Sequence, residues 1–462
     1  MSWGSKIAVA SESYQATYLG MKIAELGGNE ADVALAVSLA LAYLLPHLNG
    51  LGGDFLALVE RGGKVEAVMG LGWAPSGIGE RPPRFGLASA VVPGMARGLW
   101  ELHRRYGSLD WGKVVRTVAD FLEREAVVHP SLAEALERAE LEGPGSSLYR
   151  SIPRAPGERY TVAPLLSLYR SIADEGPDAL YRALAASLSG ELFAPEDFLQ
   201  YRAEVREPLA VEHEGWTLYE APPPSLGFAV LLTLKLADQP PRPPPLSYAR
   251  IKSILSAARR AHWARDKYLG DCEIPWRELL EGRIQLSESE RPTPTPGTTY
   301  FAVAGREMTI SAIQSLYYAF GSRYVERNGV VLNNRASDFT DGPNKPGPRR
   351  RPAHTLSAVI ALRGDRAVAL GASAGHYRPV IYAQLIQNLL YYGMELRRAV
   401  WAPRFIWVEG WRAEAERGFE EGPGVHIVDY PSRMGVAAAA VREGKRVGAA
   451  SDLRGDGAAL AK

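Results

Sequence analysis

The sequence predicts a layered protein of the α+β class. Helix-like spacing of apolar residues, three and four apart, dominates the chain before residue 270. Runs that are typical of strands gather around Thr298 and continue beyond it. The sequence contains no internal repeat. We therefore expect these helices and strands to pack as layers around a shared core.

The early elements carry clear boundary signals. The chain begins with a predicted strand, two helices and a hairpin, at residues 6–11, 16–26, 31–45, 55–60 and 65–69. Gly27 and Gly28 can end the first helix, and Asn29 can cap the second. The second helix is apolar on nearly every side, which indicates burial. The Gly-rich loop at 49–53 lacks the Lys–Ser/Thr pair of a phosphate-binding loop, so we interpret it as a tight turn.

The later elements follow from the same periodicities. Helices are predicted at residues 94–106, 112–125, 130–141, 163–172, 177–188, 195–203, 225–236, 248–268 and 379–392. Strands are predicted at residues 214–221, 300–304, 308–315, 358–362 and 367–371. A polar connection that contains Gly and Pro is expected between residues 142 and 159.

The composition excludes several classes of function. The 462 residues carry 53 Lys and Arg against 52 Asp and Glu, so we expect neither a nucleic-acid partner nor a membrane partner. The single cysteine, Cys272, cannot form an internal disulfide, and we interpret it as a structural thiol. The eight histidines form no metal-binding motif, so we expect no metal and no cofactor.

The sequence also suggests a location and a source. The N-terminus lacks the features of a secretory signal, and the longest apolar run, at residues 33–46, is too short to span a bilayer. We therefore expect a soluble, cytoplasmic protein. Asn, Gln, Cys and Met are scarce and Pro is frequent, which is typical of a thermophile.

The stretch around Thr298 is a candidate reaction centre. Residues 291–297 contain three prolines, which favour an extended segment and exclude a central strand. Thr298 follows this segment directly. A cut between Gly297 and Thr298 would give the threonine an α-amine with a pKa near ~8, which could take the proton of its own hydroxyl. A linker followed by an ordinary strand explains the same residues.

Short motifs distributed over nearly the whole chain support the first interpretation. They are NGLGGDF at 49–55, VPG at 92–94, PPPS at 222–225, YLGD at 268–271, TTYF at 298–301, FG at 320–321, GVVLNN at 329–334, DF at 338–339, GASAG at 371–375, APRF at 402–405, ASDLR at 450–454 and DG at 456–457. In this order they resemble the γ-glutamyltranspeptidase family.

The resemblance implies a fold and an activity. The fold would be the four-layer αββα sandwich of the N-terminal-nucleophile hydrolases. Residues 1–297 would form a large-subunit-like region and residues 298–462 a small-subunit-like region that starts at the nucleophile. The chain would be a zymogen that cuts itself, and the two fragments would stay associated. The substrate would be a small amide such as glutathione, with water or an amine as acceptor. Whether the protein forms a homo-oligomer stays open.

The resemblance also implies catalytic roles. Thr298 would be the nucleophile, and Ser315 lies where the family has a second threonine that hydrogen-bonds the nucleophile. The backbone N–H groups of Ala374 and Gly375 lie where the family binds the oxyanion. The alternatives are an ordinary strand residue for Ser315 and a simple glycine turn for residues 374–375.

The predicted substrate pocket departs from the family pattern. Asp338 matches the carboxylate that holds the α-ammonium of the γ-glutamyl group. Leu71 stands where the family has the arginine that pairs with the α-carboxylate, and a leucine cannot form that bidentate contact. Arg335 stands near Asp338 in place of an acidic or amide residue. We therefore expect γ-glutamyl amides to be weak substrates unless Arg335 supplies the missing cation.

Further replacements lie at the same predicted pocket. His354 and Thr355 replace a pair of serines, and Tyr317 replaces an asparagine.

The sequence thus predicts an amide hydrolase or acyltransferase that acts through a threonyl acyl-enzyme. Two alternatives stay open. One is an acylase for a non-glutamyl amide, and the other is an uncleaved, non-catalytic relative that acts as a binding or scaffold protein.

Overall fold

The computed structural model describes residues 1–290 and 297–462. Residues 291–296, which make up most of the proline-rich segment before Thr298, lie outside the described residues. Gly297 and Thr298 are both described, so the bond predicted to be cut is part of the structure.

Two large sheets are formed by strands from both ends of the chain. The strands are β1 (Ser2–Gly4), β2 (Ile7–Ser11), β3 (Asp54–Arg61), β4 (Lys64–Gly70), β5 (Glu204–Arg206), β6 (Leu209–His213), β7 (Trp216–Glu220), β8 (Thr298–Gly305), β9 (Met308–Ser315), β10 (Val359–Arg363), β11 (Arg366–Ser373), β12 (Phe405–Glu409), β13 (Arg412–Glu416), β14 (Val425–Val428), β15 (Val436–Glu443), β16 (Arg446–Ser451) and β17 (Ala458–Ala461). Among the described residues, one sheet has the order β17-β2-β8-β9-β3-β4-β5 and the other the order β1-β16-β15-β11-β10-β7-β6. Strands β12, β13 and β14 form a smaller sheet.

Helices cover the outer faces of the two large sheets. They are α1 (Tyr14–Glu25), α2 (Glu30–Leu44), α3 (Met95–Tyr106), α4 (Trp111–Glu125), α5 (Pro130–Glu137), α6 (Ser146–Arg150), α7 (Ala163–Glu175), α8 (Asp178–Leu188), α9 (Pro195–Leu199), α10 (Gly227–Ala237), α11 (Tyr248–Tyr268), α12 (Trp276–Leu280), α13 (Arg378–Ile386) and α14 (Leu396–Trp401). Helices α1 to α5 and α7 to α9 share one core with the β2-containing sheet, and α10, α11 and α13 share another with the β11-containing sheet. This arrangement confirms the predicted αββα sandwich.

Side-chain alternation along the strands builds the layers. On β8, Phe301 and Val303 point to the helices, while Tyr300 and Ala302 point to the facing sheet. The core between the sheets is rich in alanine, and small side chains let two sheets approach closely. Gly371 on β11 shows how close they come, because a Cβ added there would lie 2.4 Å from the Tyr300 ring.

The buried helix α2 forms as its sequence predicts. Its residues are all buried between the sheet and the other helices. The Asn29 side chain accepts hydrogen bonds from the backbone N–H groups of Ala31 and Asp32, and the Asp32 carboxylate accepts one from the Asn29 N–H. This reciprocal capping box fixes the start of the helix.

Several local predictions need correction. Helix α5 ends at Glu137 and α9 at Leu199, earlier than expected, and the connection at 142–159 contains the short helix α6. Predicted helix 379–392 divides into α13 and a π-helical turn, Gln387–Tyr391. Cys272 is exposed, so it is not a buried structural thiol. Among the described residues, no helix combines the length and the apolar character needed to cross a membrane.

Strands β8 and β9 lie in the middle of their sheet. Strand β8 pairs with β2, and β9 pairs with β3, all antiparallel. Both β2 and β3 precede Thr298 in the chain, and β17 at the far C-terminus completes the same sheet edge. The regions before and after Thr298 therefore build one interleaved fold.

Candidate active site

The site forms at one end of three neighbouring strands in the middle of one sheet, where β8 and β3 begin and β9 ends. Thr298 is the first residue of β8 and lies opposite Ser315, the last residue of β9. Ser315 also lies opposite Asp54, the first residue of β3. Directly opposed residues on a sheet project their side chains to the same face. The three polar side chains therefore meet in the space between the two sheets, above the alanine-rich core.

The Ser315 hydroxyl connects the predicted nucleophile to the bond before it. The Thr298 Oγ1 donates to Ser315 Oγ at 3.2 Å, and Ser315 Oγ donates to the Gly297 carbonyl oxygen at 2.6 Å. The Tyr317 backbone N–H donates to Ser315 Oγ at 2.8 Å and fixes its position. Thr298 and Ser315 are both buried. A continuous proton path thus runs from the threonine hydroxyl to the carbonyl.

A buried charge cluster lies behind Ser315. The Arg335 Nε donates to Asp54 Oδ2 at 3.2 Å, and His354 Nε2 lies 3.2 Å from the same oxygen. Arg335 also reaches Ser315 Oγ at 3.4 Å and Thr355 Oγ1 at 3.3 Å. Arg335 is fully buried and is therefore not a surface residue.

The charges in this cluster set the ionisation of Asp54. Burial alone would raise the pKa of the Asp54 carboxyl. His354, Arg335 and the Gly72 N–H, which donates to Asp54 Oδ1 at 2.7 Å, outweigh that effect and hold the pKa below its usual range. Asp54 therefore stays ionised and anchors the Arg335 guanidinium next to Ser315.

The carboxylate of Asp338, near Arg335, already has partners within the protein. Its carboxylate accepts a hydrogen bond from Tyr317 Oη at 2.8 Å and from Arg265 Nη2 at 3.2 Å. Arg265 belongs to the long helix α11, which brings its guanidinium to the Asp338 carboxylate. The Tyr317 ring separates Asp338 from Arg335, whose guanidinium carbon lies 4.4 Å from the ring centroid.

An open cleft of about 790 Å³ lies in front of Thr298. Its apolar wall includes Leu48 and Phe320, and Ala374 and Gly375 form part of its rim beside the threonine. Gly375 has a φ of +51°, so the turn at 374–375 uses the conformation that glycine favours. This cleft gives a substrate access to the Thr298 hydroxyl.

Glu12 is a titratable side chain in the same cleft. It follows β2, is buried, and accepts a hydrogen bond from the Tyr300 N–H at 2.7 Å. Burial raises the pKa of the Glu12 carboxyl to about 8, against the lowering effects of the Tyr300 N–H and Ser373. Glu12 therefore keeps its proton at neutral pH and can donate a hydrogen bond to a group bound beside Thr298.

Arg378 supports the turn at residues 374–375 from behind. Its Nε donates to the Ala372 carbonyl at 3.2 Å and its Nη1 to the Gly375 carbonyl at 3.3 Å, while Nη1 also contacts the Thr355 carbonyl. Three carbonyl acceptors on one rigid guanidinium hold the turn in place. Burial lowers the pKa of Arg378 to about 10, so it stays charged at neutral pH.

The structure brings the predicted site residues together in two groups. Thr298, Ala374 and Gly375 line the cleft, with Ser315 directly behind the threonine. The four predicted substrate-binding residues lie deeper, and the described cleft lining does not include them: Arg335, Asp338, His354 and Thr355. Their binding of substrate stays a prediction.

Sequence reasoning missed several polar residues around the site. Asp54 was noted only as part of a glycine-rich motif, and Glu12, Arg265 and Arg378 were not selected at all. Glu12 offers a detectable signal, because it is a charged residue directly after the apolar strand Ile7–Ser11. Arg265 lies on a helix among other charged residues, so its burial is not visible in the sequence. Arg378 is the first residue of the largely apolar helix α13, so that helix offers a signal for its burial.

Comparison with known proteins identifies the family. A family model for gamma-glutamyltranspeptidase matches residues 16–462. The chain belongs to the γ-glutamyltranspeptidase family. As a member of this family it is an amidohydrolase of the N-terminal-nucleophile type.

Individual members of the family align along most of the chain. The glutathione hydrolase-like YwrD proenzyme of Bacillus subtilis is 30% identical, over 99% of this chain and 98% of the relative. The oxamate amidohydrolase proenzyme of Klebsiella pneumoniae is 27% identical, over 96% of each chain. The cephalosporin acylase of Bacillus halodurans superimposes with a TM-score of 0.90 at 24% identity, over 100% of this chain and 96% of that structure. This last likeness supports the fold.

Proposed function

We propose that the chain cuts itself between Gly297 and Thr298 and that the freed Thr298 then hydrolyses or transfers the acyl group of a small amide. The observation that carries this proposal is the position of Ser315. Its hydroxyl accepts from Thr298 Oγ1 and donates to the carbonyl oxygen of Gly297, the carbonyl that the threonine must attack. A linker followed by an ordinary strand does not require this arrangement.

The cut follows from these hydrogen bonds. Thr298 Oγ1 attacks the Gly297 carbonyl carbon through a five-membered ring, while its proton passes through Ser315 toward the carbonyl oxygen. Ser315 stabilises the charge that develops on that oxygen. The proton then moves from that oxygen to the Thr298 nitrogen, the C–N bond breaks so that the nitrogen leaves as a free α-amine, and the carbonyl re-forms in an ester between Gly297 and Thr298 Oγ1. Water hydrolyses the ester to a Gly297 carboxylate and a free threonine hydroxyl.

Turnover uses the new α-amine as a base. The amine takes the proton of Thr298 Oγ1 as that oxygen attacks the substrate carbonyl, and then gives the proton to the leaving amine. The acyl group stays on Thr298 as an ester until water or an acceptor amine releases it. The N–H groups of Ala374 and Gly375 bind the oxyanion in this proposal, which the position of both residues at the rim of the cleft supports.

The relatives support both parts of this proposal. The Bacillus subtilis and Klebsiella pneumoniae proteins are each described as a proenzyme, which is the term for a precursor that is processed. One is described as glutathione hydrolase-like and the other as an oxamate amidohydrolase, so each name refers to hydrolysis of an amide bond.

Intact-mass analysis tests the proposal. We expect the purified wild-type protein to separate, under denaturing conditions, into one fragment ending at Gly297 and one starting at Thr298. Thr298→Ala should remain a single chain. A folded wild-type protein that stays uncut after prolonged incubation at high temperature would instead support the non-catalytic alternative.

The buried charges favour an acylase for a non-glutamyl amide as the second candidate. Leu71 is buried and apolar, and Asp338 is already paired with Arg265 and Tyr317. Arg335 is paired with Asp54 in the same way. The two charged residues predicted to hold an α-amino acid, Arg335 and Asp338, are therefore paired within the protein.

A further inference from the structure

Tyr317 occupies the space between the two charged residues that a γ-glutamyl head group would need. Its hydroxyl donates to Asp338 Oδ1 at 2.8 Å. Its ring lies against the Arg335 guanidinium, with 4.4 Å between the guanidinium carbon and the ring centroid. The side chain is 3% exposed. A ring in this position excludes a substrate atom from the gap between Arg335 and Asp338.

The contacts of the two charged residues are consistent with a closed pocket. Asp338 accepts from Tyr317 and from Arg265, whose Nη2 lies 3.2 Å and 3.4 Å from the two carboxylate oxygens. The Arg335 guanidinium donates to Asp54 Oδ2, Thr355 Oγ1 and Ser315 Oγ. A ligand that used either charge would have to displace an existing partner.

The backbone of Tyr317 is held in an unusual conformation. Its φ is +84°, a region that residues with a Cβ rarely adopt and that costs about 1–3 kcal/mol. Two neighbours hold it there. Its N–H donates to Ser315 Oγ, and Gly297 packs so closely that an added Cβ would lie 2.7 Å from the Tyr317 carbonyl oxygen. The surrounding site therefore determines where this ring lies.

We propose that Tyr317 determines acyl specificity by closing the gap between Arg335 and Asp338 to α-amino-acid head groups. This inference rests on the proposed function. The acyl groups that remain are those without an ammonium group next to a carboxylate. Their carbon chains would lie in the cleft against Leu48 and Phe320, which form its apolar wall beside Thr298.

A series of three matched substrates tests this proposal on the wild-type protein. The p-nitroanilides of γ-L-glutamic acid, glutaric acid and butyric acid share the same chain at the scissile bond. The second lacks the ammonium group, and the third lacks both charged groups. We expect kcat/KM for the γ-glutamyl anilide to exceed that for the glutaryl anilide by less than about tenfold. A preference of about tenfold or more for the γ-glutamyl over the glutaryl anilide, equivalent to ~1.4 kcal/mol, would show that the protein binds the ammonium group and would overturn the proposal.

Substitution of Tyr317 provides a second test. Tyr317→Asn removes the ring and frees Asp338 from its hydroxyl, so we expect the ratio of kcat/KM for γ-glutamyl over butyryl anilide to rise by about tenfold or more. Tyr318→Asn, at the neighbouring half-buried tyrosine, is the matched control and should leave this ratio near its wild-type value. An equal ratio in the Tyr317 variant and the wild type would contradict the proposal.

The two proposals fail in distinguishable ways. If the wild-type protein stays uncut and hydrolyses none of the three anilides, the proposed function fails. If it is cut and hydrolyses butyryl anilide but strongly prefers γ-glutamyl over glutaryl anilide, only the role of Tyr317 fails. Because the wild-type series requires no variant, a Tyr317 variant that does not fold still leaves a decisive result.

Discussion

At the scale of single residues, the hydroxyl of Ser315 has a role in both halves of the proposed chemistry. It donates to the Gly297 carbonyl oxygen before the cut, and it accepts from the Thr298 hydroxyl. The rest of its environment is buried, with Arg335 at 3.4 Å and the Tyr317 N–H at 2.8 Å. Ser315 therefore tests whether the observed hydrogen bonds are catalytic or only structural.

We predict that Ser315→Ala slows self-cleavage by about ten- to a thousand-fold, because one hydrogen bond to the developing oxyanion is worth ~1.5–4 kcal/mol. The measurement is the appearance of two fragments over time by mass spectrometry. Ser315→Thr is the control, since it keeps the hydroxyl. Equal rates of cleavage and turnover for wild type and Ser315→Ala would show that Ser315 is an ordinary strand residue.

A second prediction concerns Glu220, which lies buried at the end of β7, beside Gly227 at the start of α10. Ser357 Oγ contacts its carboxyl, the Ala358 N–H donates to it at 3.2 Å, and burial raises its pKa to about 8 from an ordinary 4.5. Between these two values the unfolded chain has lost the proton and the folded protein keeps it. The stability that Glu220 contributes is therefore full below pH 4.5 and is lost as the pH rises toward 8.

Glu220→Gln should remove this dependence, because an amide keeps the hydrogen bonds and does not ionise. We expect the Tm of the variant minus the Tm of the wild type to increase by about 2 °C or more from pH 5 to pH 9. Thermal unfolding of both proteins in the Thr298→Ala background, across this pH range, gives the comparison. A constant difference would show that Glu220 is ionised in the folded protein at neutral pH.

At the scale of elements, the contact between β8 and β11 positions Thr298, the proposed nucleophile. Tyr300, two residues after Thr298, packs its ring directly on Gly371 of the facing sheet. The Tyr300 hydroxyl also shares a hydrogen bond of 2.7 Å with Ser311 on β9. The start of β8 is thus held by the sheet on one side and by the facing sheet on the other.

We predict that Gly371→Ala destabilises the protein by about 1–3 kcal/mol, because its Cβ would lie 2.4 Å from the Tyr300 ring and would push the strands apart. Self-cleavage should slow as Thr298 shifts from Ser315. Urea unfolding and the cleavage assay measure the two effects. Gly79→Ala is the control, since a Cβ there meets no atom within 4 Å. If both variants unfold alike, the two sheets are not tightly packed at Gly371.

At the scale of the whole molecule, the order of the strands determines what happens after the cut. Strands β8 and β9 lie between β2 and β3, and β15 and β16 lie between β1 and β11. Each large sheet therefore contains strands from both sides of Thr298. The last residue also returns to the start of the chain, where the backbone N–H groups of Ser5, Lys6 and Ile7 donate to the Lys462 carbonyl.

We predict that the two fragments remain together after cleavage and separate only when the fold is lost, because separation would expose the paired edges and cores of both sheets. Size-exclusion chromatography of the cut protein should give one peak that contains both fragments. Thr298→Ala provides the uncut reference of the same shape. Elution of either fragment by itself without denaturant would contradict the interleaved fold.

Some features were determined by local sequence. The apolar character of α2, the capping residues Asn29 and Asp32 and the strands next to Thr298 follow from spacing and residue type within short windows. The order of the motifs was sufficient to predict the family and the fold. The cytoplasmic location and the thermophilic source stay predictions.

Other features required the tertiary structure. Strand β15, with the sequence VAAAAVRE, contains residues that favour helices, and it is a strand because it pairs with β11 and β16 and packs on the facing sheet. Arg265 is 73 positions from Asp338, and Glu12 is 288 positions from Tyr300. Neither contact leaves a periodic signal, because it depends on which strands and helices become neighbours. The sequence therefore determined the family and predicted Thr298 as the nucleophile, whereas only the packing of distant elements decided which charges lie near Thr298 and which are already paired.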